Sequence, residues 1–330
     1  RDVYKRQEPQ LAEVGEFNNS ANFGRADKGA AYMLHARLAL NSEVYTKGAV
    51  KDYQKAIDYC NLLDGKYELS KAEKNGYTGY EQVFMADNDQ NVQAMKEIIL
   101  PIRQDGAKTK CYSGANYLVS STRITGMPYI GTSNGWSCNF SRAALVKKFF
   151  STIEDCPLAT EAAPKDATEA DIIALDKAAG TTTKDVQAKA NDDRALFYSG
   201  CGGGLRKLQA DQIAGFNSGL SIVKWSNIRT DGAAISHNEF PDVDIPLIRY
   251  AEMYLTRAEA KFRLSGDPQQ ARDDIKVLRD RAGASTPATI TEQYIIDEWC
   301  REFYMEGRRR SDLIRFGLFT GDCLLYTSDA

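Results

Sequence analysis

Three stretches in the last third of the chain repeat apolar residues at alternating spacings of three and four, and this rhythm narrows the possible folds more than any other feature. "IPLIRYAEMYLTRAEAKFRLSG" sets Ile248, Ala251, Leu255, Ala258 and Phe262 on one stripe and predicts an amphipathic helix that stops at Gly266. Asp267 as N-cap and Pro268 as first helical residue then start a second helix. Its stripe is Ala271, Ile275, Leu278 and Ala282, and Gly283 ends it. The two form a helical hairpin. A third helix begins after Thr291, carries Ile295, Trp299 and Phe303 on one face, and breaks at Gly307.

The same design recurs near the N-terminus. "DKGAAYMLHARLALNSEVY" and "VKDYQKAIDYCNLLDG" predict a hairpin in which Ala31, Leu34 and Leu38 face Tyr53, Ala56, Cys60 and Leu63. Alanines at helix crossings are a feature of tetratricopeptide-type hairpins. The two hairpins are some 220 residues apart, too far for a tandem solenoid, so each is expected to pack around the intervening chain. That middle, residues 65–245, is rich in Gly, Ser, Asn, Tyr and Thr, with short strand-like pieces such as "EIILPI" and "SIVKW". Within it, 160–193 is alanine, threonine and charge without aromatics, and reads as a solvated helical insertion.

Composition removes several function classes. Forty-two basic against 45 acidic residues leave a net charge of −3, which provides no broad field for nucleic acid or an anionic membrane. No stretch approaches the roughly 20 apolar residues of a membrane helix. Seven cysteines (60, 111, 138, 156, 201, 300, 323) stand singly, without C-x-x-C or Cys/His spacing for zinc, beside only two histidines. Cys60 and Cys300 fall in helical apolar patterns and read as buried.

Local motifs for chemistry fail on spacing. "DNDQN" (87–91) opens like a calcium loop, but Val92 stands where glycine is needed and Ile98 where glutamate is, which leaves a polar turn. "CGGGLRK" (201–207) lacks phosphate-loop spacing and reads as a turn. Neither His35, inside a helix, nor His237, in the loop "AISHNEF", has a nucleophile motif beside it. A pair of carboxylates suited to glycoside hydrolysis needs only proximity in the fold, and 45 acids offer many pairs.

The middle segment is more informative. "CYSGANYLVSSTRITGMPYIGTSNGWSCNF" sets Tyr112, Tyr117, Tyr129, Trp136 and Phe140 among Asn116, Arg123, Ser133 and Asn134. Flat rings beside amide and guanidinium donors suit sugar faces, whose C–H groups pack on a ring while hydroxyls take polar partners. The same rings would equally serve to pin a loop onto helices. Tyr112, Asn116, Tyr117, Arg123, Tyr129, Asn134 and Trp136 are the candidate ligand contacts; no catalytic or metal-ligating residue and no cofactor is assigned.

"WCREFYMEGRRRSDLIRFG" (299–317) holds five arginines and three acids. Glu302, Glu306 and Asp312 lie at helical distances from the arginines, so the cluster reads as structural ion pairing rather than an anion site.

These residues also resemble a known family. "PLIRYAEMYLTRAEA", "ARDDIKVLRDRAG" and "EWCREFYMEGRRRSDLIRFG" closely resemble the C-terminal signature of the RagB/SusD family of nutrient-binding outer-membrane lipoproteins. "GRADKGAAYMLHARLAL" and "YQKAIDYCNLLDGKYEL" resemble its tetratricopeptide-like helices. "YEQVFMADNDQNVQAMKEIIL" resembles the segment before its binding loops, and "DDRALFYSG" its central D-x-R element. The resemblance runs over roughly 17–320. It implies a mainly α fold of tetratricopeptide-like hairpins supporting a loop-rich ligand face, with no enzymatic activity. It further implies capture of an oligosaccharide or other nutrient on the surface of Bacteroidetes cells, and handover to a SusC-like TonB-dependent transporter. The membrane attachment it implies is an N-terminal lipid, and none of the seven cysteines matches that anchor.

The expected organisation is a remnant over 1–16, one SusD-like domain over 17–320 lacking its N-terminal part, and a non-native tail over 321–330, because "RDVYKRQ" and "CLLYTSDA" look like translated adapter sequence. Within the domain, 65–245 is loop-rich and 246–320 is the helical signature. A protein-interaction scaffold and a glycoside hydrolase are the competing readings. If the Trp299/Phe303 stripe is buried, truncating either residue to alanine costs on the order of 3–5 kcal/mol, measured as a lowered midpoint of urea unfolding.

Overall fold

The computed structural model of the protein covers, as described residues, 8–123, 127–152, 155–157, 182–198, 200–201, 204–205 and 219–319. In sequence order its principal elements are α1 (Lys28–Leu40), α2 (Tyr53–Asn61), β1 (Ile98–Ile102) and α3 (Ala115–Ser120). There follow α4 (Thr183–Ala190), β2 (Phe197–Tyr198), β3 (Ser221–Ile222) and β4 (Ile245–Arg249). The C-terminal helices are α5 (Ala251–Ser265), α6 (Arg272–Arg281), α7 (Glu292–Phe303) and α8 (Arg309–Arg315). The fold is mainly helical. The stretch expected as one domain divides into two compact units: residues 8–83, 87–103 and 244–319 form the first, and 84–86 with the described part of 104–243 the second.

The first unit is the helical one. α1 packs on α2, α2 on α5, and α5 on α6 and α7. The N- and C-terminal hairpins therefore abut directly, where the sequence suggested that each packs around the middle. Ala56 and Cys60 of α2 and Leu255 and Ala258 of α5 have no exposed surface. The small side chains of Ala56, Cys60 and Ala258 let the helix backbones come close.

The stripes on α5, α6 and α7 hold: Ala251, Leu255 and Ala258, then Ala271, Ile275, Leu278 and Ala282, then Ile295 and Trp299 are all fully buried, with Phe303 nearly so. Three readings change. Residues 245–249 form a strand, with Ile248 paired to Leu100 of β1 and Pro246 opposite Pro101. A proline has no amide to donate and biases the residue before it to extended backbone, which favours a short two-stranded ladder over a helix. α7 ends at Tyr304, whose extended backbone (ψ 145°) breaks it before Gly307. On α1, Leu34 and Leu38 are 43% and 55% exposed, while Ala30, Met33, Ala36, Ala39 and Leu40 are buried. Apolar residues run all the way round α1, so its periodicity carries no phase, and close packing on α2 selects the alanine side.

Residues 8–16, set apart in the sequence, lie against α1. Gly15 N donates to Asp27 Oδ2 (2.8 Å) and Lys28 N to Ala12 O (3.0 Å), and Val14 packs on the core. The tail 321–330 lies outside the described residues, as does most of the 160–193 insertion, of which α4 is described. Among the described residues no helix is long and apolar enough to cross a membrane.

Charge is buried here on an unusual scale. Arg249, 1% exposed, donates Nη1 to Glu97 Oε1 (3.0 Å) and Glu302 Oε1 (2.6 Å), and Nε to Glu306 Oε2 (2.8 Å). Arg281 pairs with the same Glu97 and Glu302. Arg315 clasps Glu259 through Nε and Nη2 (both 2.9 Å), and Trp299 Nε1 donates to the same carboxylate (2.8 Å). Glu252 bridges Arg37 and Arg308. Of the arginines of 299–317, Arg308 and Arg315 pair with Glu252 and Glu259 of α5 and Arg301 with Glu298 of its own helix (2.7 Å). Asp312 to Arg315 (2.8 Å) is a pair within the stretch, whereas Glu302 and Glu306, which the sequence assigned to these arginines, pair with Arg249, and Glu302 also with Arg281.

Burial alone pushes the Glu252 carboxyl up, but Arg308 and Arg37 outweigh it and hold the group below the ordinary glutamate value. Burial likewise raises Glu259, and Arg315 with Arg263 overcomes it. Asp27 works in the opposite sense, since burial pushes its carboxyl up despite the Tyr67 hydroxyl and backbone amides around it. A carboxyl depressed in the folded state stabilises fully above its unfolded value, about 4.3 for glutamate, and that stabilisation is lost as pH falls through the folded value. Glu252→Gln is accordingly less stable than the unaltered protein at pH 7, by about 3 kcal/mol at the low end for breaking a buried pair. Urea midpoints followed by circular dichroism should show this gap narrowing as pH drops below about 4.3.

Candidate functional site

The aromatic segment belongs to the second unit, whose core includes Phe84 against Trp225 (5.0 Å between centroids, edge-on) and Phe149 against Phe197 (5.5 Å). β2 and β3 pair antiparallel, Phe197 opposite Ile222. The D-x-R element is a buried bidentate clasp: Arg194 Nε and Nη2 donate to the two oxygens of Asp192, each at 2.8 Å.

α3 leaves its last carbonyls without helical partners, as every helix does, and the polypeptide returns to fill them. Trp136 N donates to Ser120 O (3.0 Å), and Cys138 N and Asn139 N to Ser121 O (2.9 and 3.0 Å). Ser137 takes a left-handed conformation (φ 49°) to make this return. Upstream, Gly131 (φ +82°) lies so close to Asn227 that a Cβ would meet its carbonyl carbon at 2.1 Å, and Asn227 closes the contact from Nδ2 to Gly131 O (2.9 Å). Glycine is required there on both counts.

This return sets Trp136 between two tyrosines. Its ring lies 6.4 Å from Tyr117 and 6.3 Å from Tyr112, tilted by 48° and 53°. Tyr112 in turn contacts the buried Phe240 at 5.2 Å. Tyr112 is 62% and Tyr117 43% exposed, and Trp136 is half-buried. The result is an open, non-planar aromatic platform.

The other candidates divide. Asn134 is beside the platform: its Nδ2 donates to Glu239 O (3.2 Å), and its own carbonyl accepts from Arg123 Nη1 (3.2 Å). Arg123 is half-buried and spends that donor inward. Asn116 is 1% exposed, with Oδ1 accepting from Ser120 Oγ (2.8 Å), so it lies beneath the surface. Tyr129 is 56% exposed but makes no ring contact with the other three among the described residues.

Sequence reading missed the loop 236–240. Tyr112 Oη donates to Glu239 Oε1 (2.6 Å), a bond that pushes the phenol above its ordinary value. Ser133 N donates to Asn238 O (2.8 Å), so this loop joins the Tyr112 end of the platform to the segment carrying Trp136. The only signal was the composition of "AISHNEF", about 100 residues downstream, where nothing in spacing indicates contact.

The first unit has a cleft of about 260 Å³, lined by Arg37, Tyr45, Leu247, Arg249, Glu252 and Arg308 among others. Its arginines are matched by Glu252, Glu302 and Glu306, which removes the case for an anion site.

Chemically, the second unit offers ring faces for C–H packing with a rim of hydroxyl, amide and carboxylate groups, an arrangement suited to a neutral polyol. A family model described as the SusD family matches residues 81–327. The chain belongs to the SusD family. It is 55% identical over 312 residues to the starch-binding protein SusD of Bacteroides thetaiotaomicron, an alignment that covers 93% of this chain and 54% of that protein. The chain thus spans about half the length of its curated SusD relative. Solved structures agree on the fold. A SusD-like protein of Bacteroides fragilis superposes with a TM-score of 0.61 at 22% identity, covering 96% of this chain and 59% of that one. Surface glycan-binding protein A of Bacteroides thetaiotaomicron, solved with laminarihexaose, gives 0.56 at 18%, with 96% and 61% covered.

Proposed function

We propose that the chain is part of a non-catalytic glycan-binding protein whose ligand packs on the Tyr112–Trp136–Tyr117 platform. The observation that carries this reading is the platform itself: three outward rings, tilted by about 50° in succession, beside the polar groups of Asn134 and Glu239. Rings of this kind gain from stacking on the apolar faces of sugars, and their tilt favours a ligand that curves over a flat one. Two names support the ligand class. The 55% identical relative is called starch-binding, and a relative of like fold was solved with a glucan hexasaccharide. A starch-type α-glucan is the first ligand to test.

The reading includes a role in uptake: attachment to the outer-membrane surface through an N-terminal lipid, and delivery of the bound oligosaccharide to a SusC-like TonB-dependent transporter. The abutting hairpins of the first unit are read as tetratricopeptide-like. Family membership supports both statements. The carboxylate beside the platform, Glu239, is engaged by the Tyr112 hydroxyl, which suits recognition better than acid–base work.

Affinity electrophoresis in gels containing amylopectin, with calorimetric titration of maltoheptaose, tests the reading. The unaltered protein is expected to be retarded, and Trp136→Ala to lose at least about tenfold in affinity, or about 1.4 kcal/mol, with its circular dichroism unchanged. Undiminished retardation of Trp136→Ala, or release of reducing sugar abolished by a single carboxylate substitution, would overturn it.

A further inference from the structure

We propose that His237 is a positioning residue for the ligand platform and makes its affinity pH-dependent; this rests on the glycan-binding reading of the same site. The imidazole Nδ1 accepts two backbone amides of its own loop, from Glu239 N (3.0 Å) and Phe240 N (3.2 Å). Its ring lies 5.1 Å from Phe240. Those two residues are the ones that reach Tyr112, Glu239 through the phenol and Phe240 through its ring. Their neighbour Asn238 holds the Ser133 amide, and Glu239 O holds Asn134. One acceptor atom therefore organises the loop that fixes both the Tyr112 end of the platform and the segment that leads to Trp136.

The chemistry of that atom gives the pH dependence. A neutral imidazole with its proton on Nε2 presents Nδ1 as an acceptor; an imidazolium has donors at both nitrogens and no acceptor. Protonation would place an N–H against two backbone N–H groups. Both bonds are lost, and the loop must rearrange. Among the described residues, the following titratable and charged groups stand on the elements around the imidazole. Glu239 and Asp242 share its loop, and Asp242 accepts Ser236 N and Gly106 N (2.8 Å each). The segment packed under the loop at Gly106 contributes Asp105, paired with Lys108 (2.8 Å), then Cys111 and Tyr112. Arg123 stands behind Asn134.

An asparagine side chain supplies the same acceptor to the amides two and three residues on, as it does in turns and at helix starts. His237→Asn therefore keeps both bonds and cannot be protonated. The experiment is maltoheptaose titration of the full-length polypeptide between pH 7.5 and 5.5, combined with amide hydrogen exchange at Glu239 and Phe240. Expected are a loss of affinity of about five-fold or more in the unaltered protein on acidification, weak binding at both pH values in His237→Ala, and pH-independent binding in His237→Asn. The two amides are expected to be protected, after correction for intrinsic exchange, in the unaltered protein at pH 7.5 and in His237→Asn, but not in His237→Ala. Affinity that is flat with pH in the unaltered protein, or that falls in parallel in His237→Asn, overturns the proposal, as does equal protection in all three proteins. If maltoheptaose does not bind the unaltered protein at pH 7.5, the α-glucan reading fails on its own account, and amide exchange still decides whether His237 holds the loop.

Discussion

The helical unit depends on one buried electrostatic arrangement. Arg249 at the end of β4 and Arg281 at the end of α6 share the carboxylates of Glu97 and Glu302, and none of the four side chains is more than 1% exposed. Four segments far apart in sequence meet at that point. Tyr80 adds a fifth, donating its hydroxyl to Glu302 O (2.8 Å). Replacing a buried ion cluster with apolar residues of equal shape is often neutral, whereas removing one member leaves an uncompensated charge and is strongly destabilising. The network is therefore best understood as fixing which elements meet and in what register. The apolar stripes, which other helices could equally match, supply most of the burial.

The same division of labour appears in the second unit at smaller scale. Irregular backbone carries the aromatic platform, and irregular backbone needs partners for its amides and carbonyls. They come from the open carbonyl end of α3, from Asn227 against Gly131, and from the loop 236–240. The exposed rings are consequences of these bonds: Trp136 faces Tyr117 because its own amide is tied to the helix on which Tyr117 stands.

Much of this was legible in the sequence where a signal is local. The stripes of α5, α6 and α7, the Asp267–Pro268 start, the stop at Gly266 and the polar turn at 87–91 all follow from spacing and capping chemistry. So does the joint appearance of Tyr112, Tyr117 and Trp136, which lie within one short segment. What failed was phase and partnership. α1 is apolar on every side, so spacing alone gave Leu34 and Leu38 to the core where packing chose Ala36 and Met33. Asn116 carried the right chemistry, but its place in the first turn of α3 buries it. The acids that neutralise Arg308 and Arg315 are Glu252 and Glu259 on α5, a pairing that no helical spacing encodes. Family resemblance fixed the fold class, and only the folded protein shows Glu239 and Phe240 at the platform.

Amide hydrogen exchange on the full-length polypeptide, with and without saturating maltoheptaose, tests most directly the claim that recognition lies on the aromatic loops and that the charged helical unit is structural. Protection on binding is predicted within 112–117, 133–139 and 236–240, with the helices around Arg249 and Glu302 unchanged. Protection centred instead on the cleft formed by Arg37, Tyr45 and Arg308, with the aromatic segments unaffected, would contradict it.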